Sequence, residues 1–273
     1  MTLGCDINGD GEIDNQLGKV LGALKAASQQ IDIQAAVTTA FRRGDVLMLQ
    51  DIEFDPTLAM TQVAGLRSFV GAHDATDGLT APAFYMGQGH FTVVSEHGSG
   101  MGGAIQGGVT EFGPNDAVLQ LTLVPNGRIM TLPLERAYVS GSITATTITN
   151  GRLCGAIAAP IVLSTFIPQL ADALSDVAKT HSIGESIWML FDDDHSCDTD
   201  PDCAPSSSNA CHCITATELD NNSIIRSILT PDLDLDGHAT NPFVTDQCDP
   251  TYRSDALSVG VGFGANQATF ALP

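Results

Sequence analysis

The run Asp6-Ile7-Asn8-Gly9-Asp10-Gly11-Glu12-Ile13-Asp14 constrains this chain more than any other stretch. It has the spacing D-x-[DN]-x-D-G-x-I-D, with oxygen-bearing side chains at alternate positions. Short-armed Asp and Asn at that spacing turn their oxygens inward, and Gly11 supplies the positive-φ turn that wraps the backbone around them. A calcium ion takes such a ring of hard oxygens, six to eight of them at about 2.3–2.6 Å. Asp6, Asn8, Asp10 and Asp14 are the expected side-chain ligands, and Glu12 gives its carbonyl. Ile13 is expected to anchor the loop in the core. Position twelve is Leu17, so the usual bidentate acid is missing; water or an acid from elsewhere must complete the shell.

Two further segments carry related chemistry. Phe191-Asp192-Asp193-Asp194 begins like a loop leaving a helix. Ile214-Thr215-Ala216-Thr217-Glu218 ends like one, with Ile at position eight, Thr at nine and Glu at twelve. If the two ends meet, Asp192, Asp194 and Glu218 are side-chain ligands and Cys213 gives its carbonyl. The insertion between them, His195 to His212, carries Asp198, Asp200 and Asp202 in place of the missing fifth-position ligand. The third segment, Asp232-Leu233-Asp234-Leu235-Asp236-Gly237, repeats D-x-D-x-D-G. After an insertion, Asp255-Ala256-Leu257-Ser258 resembles the exit Asp14-Asn15-Gln16-Leu17. The repeat aligns Asp232 with Asp6 and Asp255 with Asp14, which makes Asp232, Asp234, Asp236 and Asp255 the expected ligands.

The charge balance bears on the same point. The chain has 32 acids, 11 bases and a net charge of −21. Eighteen of the acids fall in segments 6–14, 192–220 and 232–255, which hold one base, Arg253. Like charge concentrated in this way is unfavourable without a counter-ion. With 16% charged and 43% apolar residues, the chain is a core former and not a disordered acidic tail. Nucleic acid and anionic membrane need a basic patch, so neither is an expected partner.

These residues, together with Asn221-Asn222-Ser223-Ile224-Ile225 and the stretch Asp255 to Phe263, resemble bacterial secreted or surface-anchored calcium-binding proteins with EF-hand-like and thrombospondin-type-3-like Asp loops. The resemblance covers about a quarter of the chain and implies calcium as cofactor, with no defined activity. Leu17 and the two insertions depart from the pattern. Dockerins share D-x-N-x-D-G, but their tandem pair of short repeats is missing.

The expected architecture is α+β: an antiparallel β-sandwich-like sheet with packed helices and EF-hand-like loops, in one integrated domain over residues 1–273. Residues 1–44 read as the first loop and two helices, on Leu17, Val20, Leu21 and Leu24 and then Ile33, Val37, Ala40 and Phe41, ended by Gly44. Residues 45–153 read as sheet. Strands are expected over Val46–Phe54, His90–Ser95 and, around Asn126-Gly127, Ala117–Val124 and Ile129–Leu134. Tyr138–Ile148 follows, with Asn150-Gly151 as a further turn, and Gly87 to Gly108 is glycine-rich connecting chain. Residues 155–230 read as helices: Pro160–Thr180, Ile183–Phe191 and Thr217–Leu229. Residues 231–273 add the last loop and a strand, Ala256–Leu272, that rejoins the sheet. Leu153 to Ala171 is uncharged and nearly long enough to span a bilayer. Its prolines and one-sided pattern favour a buried core helix instead.

Seven cysteines suit an oxidising, extracellular or cell-surface setting. Cys197, Cys203, Cys211 and Cys213 crowd an apolar-poor insertion that needs a covalent staple. Zinc is the rival there, but C-x5-C and C-x-C do not match the usual zinc spacings. Cys5 is a candidate partner for Cys248, which leaves Cys154 as a buried free thiol. Met1 to Cys5 has neither a charged nor an apolar leader region, the start expected of a trimmed chain. Gly4-Cys5 faintly matches a lipoprotein cleavage site, so a lipid anchor is an open alternative.

No H-E-x-x-H, G-x-S-x-G or phosphate-loop motif occurs. The expected function is therefore a calcium-stabilised, non-catalytic structural or adhesive protein of a surface layer or filament, with itself or another surface protein as partner. The alternative is a calcium-dependent hydrolase or glycan binder using the glycine-rich region with Glu96, His97 and Ser99. A reversible sensor fits least, because disulfides would rigidify it.

Overall fold

The computed structural model describes residues 4–8, 10–27, 33–53, 63–80, 83–180, 184–192, 213–235 and 254–272. Helices α1 (Gln16–Ala27) and α2 (Ile33–Arg43) come first. Leu17, Val20 and Leu24 of α1 and Ile33, Ala36 and Ala40 of α2 are buried, as their helical spacing requires. Gly44, at φ +78°, ends α2: its N–H donates to the Phe41 carbonyl, and that of Asp45 to the Ala40 carbonyl.

Seven strands then form a meander, β1 (Met48–Glu53), β2 (Ala64–His73), β3 (His90–Gln106), β4 (Val109–Leu121), β5 (Met130–Ile143), β6 (Thr147–Ala158) and β7 (Ala256–Asn266). Each pairs antiparallel with the next, in sequence order. The eighth strand, β8 (Thr269–Ala271), pairs parallel with the start of β3. This is one curled, half-barrel sheet and not the expected sandwich of two. The long strands bend at irregular pairings instead of breaking into two layers. One of these is at Asn150-Gly151, which is not a turn. Both residues lie inside β6, where the register with β7 slips between Ile148 and Gly151, with Asn150 at φ +52°. A Cβ at Gly151 would lie 2.8 Å from the Phe263 ring, so glycine is needed there for strand contact. The glycine-rich stretch expected as a connection is mostly β3, a single strand of 17 residues. The hairpin at Asn126-Gly127 stands as read, with Leu121 facing Met130 and Gly127 N–H closing on the Val124 carbonyl at 3.0 Å.

The apolar stretch after β6 turns into helix: α3 (Ala159–Ile161), a π-helical turn (Val162–Phe166) and α4 (Ile167–Thr180). Pro168 has no N–H to donate to the preceding turn, and the helix widens there. This segment is apolar and long enough to cross a membrane by length and composition. Val162, Phe166, Ile167, Leu170, Leu174 and Val177 are all buried in the core that the helices share with the sheet. Gln169 fixes the helix to β5, its Oε1 accepting from Thr131 N–H at 2.7 Å and its Nε2 donating to the Thr131 carbonyl at 3.1 Å.

Three short helices follow, α5 (Gly184–Phe191), α6 (Ala216–Asn221) and α7 (Ser223–Ile228). The last two were expected as one. Asn222 breaks them, because its Oδ1 accepts from Ile224 N–H and Ile225 N–H and so starts a new helix.

Cys154 is not a free thiol. It is bonded to Cys5, S–S 2.03 Å, across 149 residues of chain. The pairing comes from strand order, which lays β6 beside the N-terminal segment. Cys213 is also disulfide-bonded. Cys197, Cys203, Cys211 and Cys248 lie outside the described residues. Closing so long a loop constrains the unfolded chain, so Cys154→Ser is expected to cost about 2–5 kcal/mol. Thermal denaturation checks this; an unchanged melting temperature would show that the bond adds nothing.

Candidate functional site

The first Asp loop is folded on its own carboxylates. Asp6 Oδ1 accepts from Asp10 N–H at 3.0 Å and Asp6 Oδ2 from Gly11 N–H at 2.9 Å. Asn8 Oδ1 accepts from Asp10 N–H at 3.0 Å, and Asp10 Oδ1 from Glu12 N–H at 2.8 Å. Gly11 takes φ +88°, the turn that the spacing demands. The side-chain oxygens of residues 6, 8 and 10 thus bend back over the loop backbone. The donor set is all oxygen, which suits a hard cation. Asp14 closes the loop: its N–H donates to the Cys5 carbonyl at 2.9 Å, and its Oδ2 accepts from Ile7 N–H at 2.8 Å.

Ile13 does not anchor this loop; it is 52% exposed. Ile7 packs inward instead, with Leu235 against Ala156, Leu233 and Ala256. Leu17, at the closing position, is buried in α1 and belongs to the core.

The third loop meets the first at β7, and it is built by the same two bonds. Asp255 N–H donates to the Leu233 carbonyl at 2.7 Å, and Asp255 Oδ1 accepts from Leu235 N–H at 2.8 Å. Asp255 therefore takes the part of Asp14, as the repeat implied. But Leu233 and Leu235 take the parts of Cys5 and Ile7, two residues on from the sequence alignment. Asp234, not Asp232, is the counterpart of Asp6. Asp232 does something else: its Oδ1 accepts from Ser258 N–H at 2.8 Å and its Oδ2 from the Ser258 hydroxyl at 2.6 Å. Ser258 Oγ in turn accepts from Gln16 N–H at 2.7 Å, at the start of α1. Asp236 lies outside the described residues.

Two acids are thereby brought together. Burial, and behind it the charges of Asp232 and Asp10, push the Asp14 carboxyl above its ordinary range, against the hydrogen bond from Ile7. A base is also nearby that the local sequence does not reveal. Arg136 of β5 donates to the Leu235 carbonyl.

In the interrupted second segment, Asp192 is buried at the end of α5. Glu218 caps α6: its Oε2 accepts from Thr215 N–H at 2.7 Å, and Thr215 Oγ1 accepts from Glu218 N–H at 3.1 Å. Ile214 is pinned to α4 through both of its backbone groups by the Ser175 hydroxyl. Asp194, with Asp193, Asp198, Asp200, Asp202, His195 and His212, lies outside the described residues. Among the described residues, no three His, Cys, Asp or Glu side chains form a ready metal-holding group. The backbone of His97 and Ser99 belongs to β3.

Sequence reasoning missed Ser258 and Asn15. Asn15 bonds both backbone groups of Gly260, Nδ2 to the carbonyl at 3.0 Å and N–H to Oδ1 at 3.1 Å. Asn15 carries a local signal as the cap of α1, its Oδ1 accepting from Gly18 N–H at 2.9 Å, but nothing near it in sequence points to Gly260, and nothing near Ser258 points to Gln16.

The raised Asp14 carboxyl fixes a pH dependence. The folded state holds this proton more tightly than the unfolded chain, so the contribution favours folding at low pH. It is lost as pH rises from about 4, the unfolded value, through the higher folded one. Asp14→Asn keeps an oxygen for Ile7 N–H and removes the charge. In chelator at pH 7 it is expected to melt about 2–4 °C higher than the parent, with the gain vanishing toward pH 4. Melting curves across that range check it; a variant less stable at pH 7 would refute it. Comparison with protein-family models, curated proteins and solved structures finds no match to this chain.

Proposed function

We propose that this chain is a non-catalytic, calcium-stabilised structural or adhesive protein that works outside the cell, as part of a surface or filament assembly. The observation that carries the reading is the joint seat of the first and third loops. Both are closed by an aspartate making the same two backbone bonds, and both are tied to β7. Burial there, with the nearby charges of Asp232 and Asp10 adding to it, raises the Asp14 carboxyl. A divalent cation would relieve that repulsion and would draw on the oxygens already bent over the first loop. Asp6, Asn8, Asp10 and Asp14, with the Glu12 carbonyl, are the residues to hold it. Asp232, Asp234, Asp236 and Asp255 are the candidates in the third loop, and Asp192, Asp194 and Glu218 those in the second. Calcium is the expected ion because the donors are all oxygen.

The Cys5–Cys154 bond suits an oxidising setting. Surface attachment would run through another copy or another surface protein.

Calcium that binds only the folded state stabilises by RT ln(1 + [L]/Kd), about 2.7 kcal/mol per site at a hundredfold excess over Kd. Thermal melting of the full chain in millimolar calcium should exceed that in chelator by about 5–10 °C per filled site. Magnesium at the same concentration should do much less. Identical melting temperatures in calcium and chelator would overturn the reading.

A further inference from the structure

Among the described residues, the outer edge of β7 is satisfied residue by residue over its first half and bare over its second. Odd-numbered residues turn their backbone groups toward β6, and Gln267 N–H continues that parity onto the Thr146 carbonyl at 2.8 Å. Even-numbered residues turn theirs outward. At Ala256 the outward groups pair with Leu233, donating at 3.0 Å and accepting at 2.9 Å. At Ser258 the N–H donates to Asp232. At Gly260 the Asn15 amide takes both groups. Gly262, Gly264 and Asn266 continue the outward parity, and all three are exposed. Their outward N–H and C=O groups meet no partner among the described residues.

A bare ladder of peptide groups is complementary to another extended strand. Exposed edges are commonly guarded by charge. β1, the other terminal strand of the sheet, carries Asp51 and Glu53. β7 carries no ionisable residue from Ala256 to Asn266. Gly262 and Gly264 add no side chain of their own, and Gly264 to Asn266 open onto a cleft bounded by Phe41, Arg42 and Val46 to Leu49. On a chain of net charge −21, most approaches between two copies oppose like charges, and this uncharged edge does not.

We propose that the β7 edge from Gly262 to Asn266 pairs antiparallel with the same edge of a second copy, about a two-fold axis at Gly264. Gly264 then faces its own counterpart, and Gly262 faces Asn266 of the second copy. Each facing pair exchanges two N–H···O bonds, and the sheet continues across the dimer. This rests on the assembly role proposed above and names the surface that serves it.

Sedimentation of the full chain in calcium tests the pairing. Gly264→Pro removes an N–H that has no partner among the described residues, so it breaks no bond described in the fold. Gly264→Lys is a second block, since a Cβ there meets only the Ile148 carbonyl, at 3.6 Å. The parent is expected to form a dimer that dissociates on dilution. Both variants should raise its dissociation constant about 10- to 100-fold at an unchanged melting temperature. A dimer equally tight in both variants overturns the edge and leaves the assembly role standing. A parent that is monomeric at every concentration overturns the pairing and leaves assembly only through a different surface protein. A melting temperature that still rises with calcium would then leave the calcium reading intact.

Discussion

Peptide groups on the outer edge of a strand need partners or water, and β7 is where this molecule answers that need with its most distant parts. Leu233 pairs with Ala256, Asp232 with Ser258 and Asn15 with Gly260. The N-terminal segment and the segment before β7 are therefore seated as edge partners of one strand. The position of β7 is set in turn by β6, whose Cys154 faces Gly260 in the register and is covalently joined to Cys5. If that register slipped by one residue, the outward groups would turn inward, and the attachments of the first loop, the third loop and α1 would be lost together.

That seating has an electrostatic cost. Like charges brought together in a partly buried place disfavour one another's ionised form, and Asp14 feels both Asp232 and Asp10. Hydrogen bonds offset part of it: Ser258 gives two donors to Asp232, Ile7 gives one to Asp14, and Arg136 stands at the Leu235 carbonyl. The sheet thus supplies a fixed frame, and the acids are arranged on the frame, not within the core. Core packing rests on α1, the helix from Ala159 onward and the inward faces of β2 to β7, with Asp192 and Asp255 buried at its margin.

Features set by neighbours in sequence were readable from it. Asn126-Gly127 dictates a hairpin, Gly44 a helix end and Gly11 a left-handed turn, because each depends on a few adjacent residues. Features set by strand order were not. Nothing near Cys154 says that Cys5 lies beside it, and its apolar flanks read naturally as those of a buried thiol. Asn150-Gly151 has the local chemistry of a turn, yet β5 and β7 hold strand on both sides of it, and tertiary pairing makes it a bulge. Asn222 carries a readable signal, since an Asn before Ser-Ile-Ile is a helix cap as much as a helix interior.

The repeat shows the same division within one motif. D-x-D-x-D-G at Asp232 and D-x-N-x-D-G at Asp6 align without a gap, so composition alone superposes Asp232 on Asp6. The backbone bonds do not, because Leu233 stands where Cys5 stands and Leu235 where Ile7 stands. A shift of two residues preserves the alternation of acid and apolar residue, which is why the pattern could not reveal it. It nonetheless changes what each acid does. Asp234 inherits the place of Asp6, while Asp232 is left over at the strand edge, where it holds Ser258 and through it the first turn of α1. A carboxylate that reads as the leading metal ligand of its loop is in this fold the tie between two loops. Its charge then reaches Asp14 because the two loops share an edge.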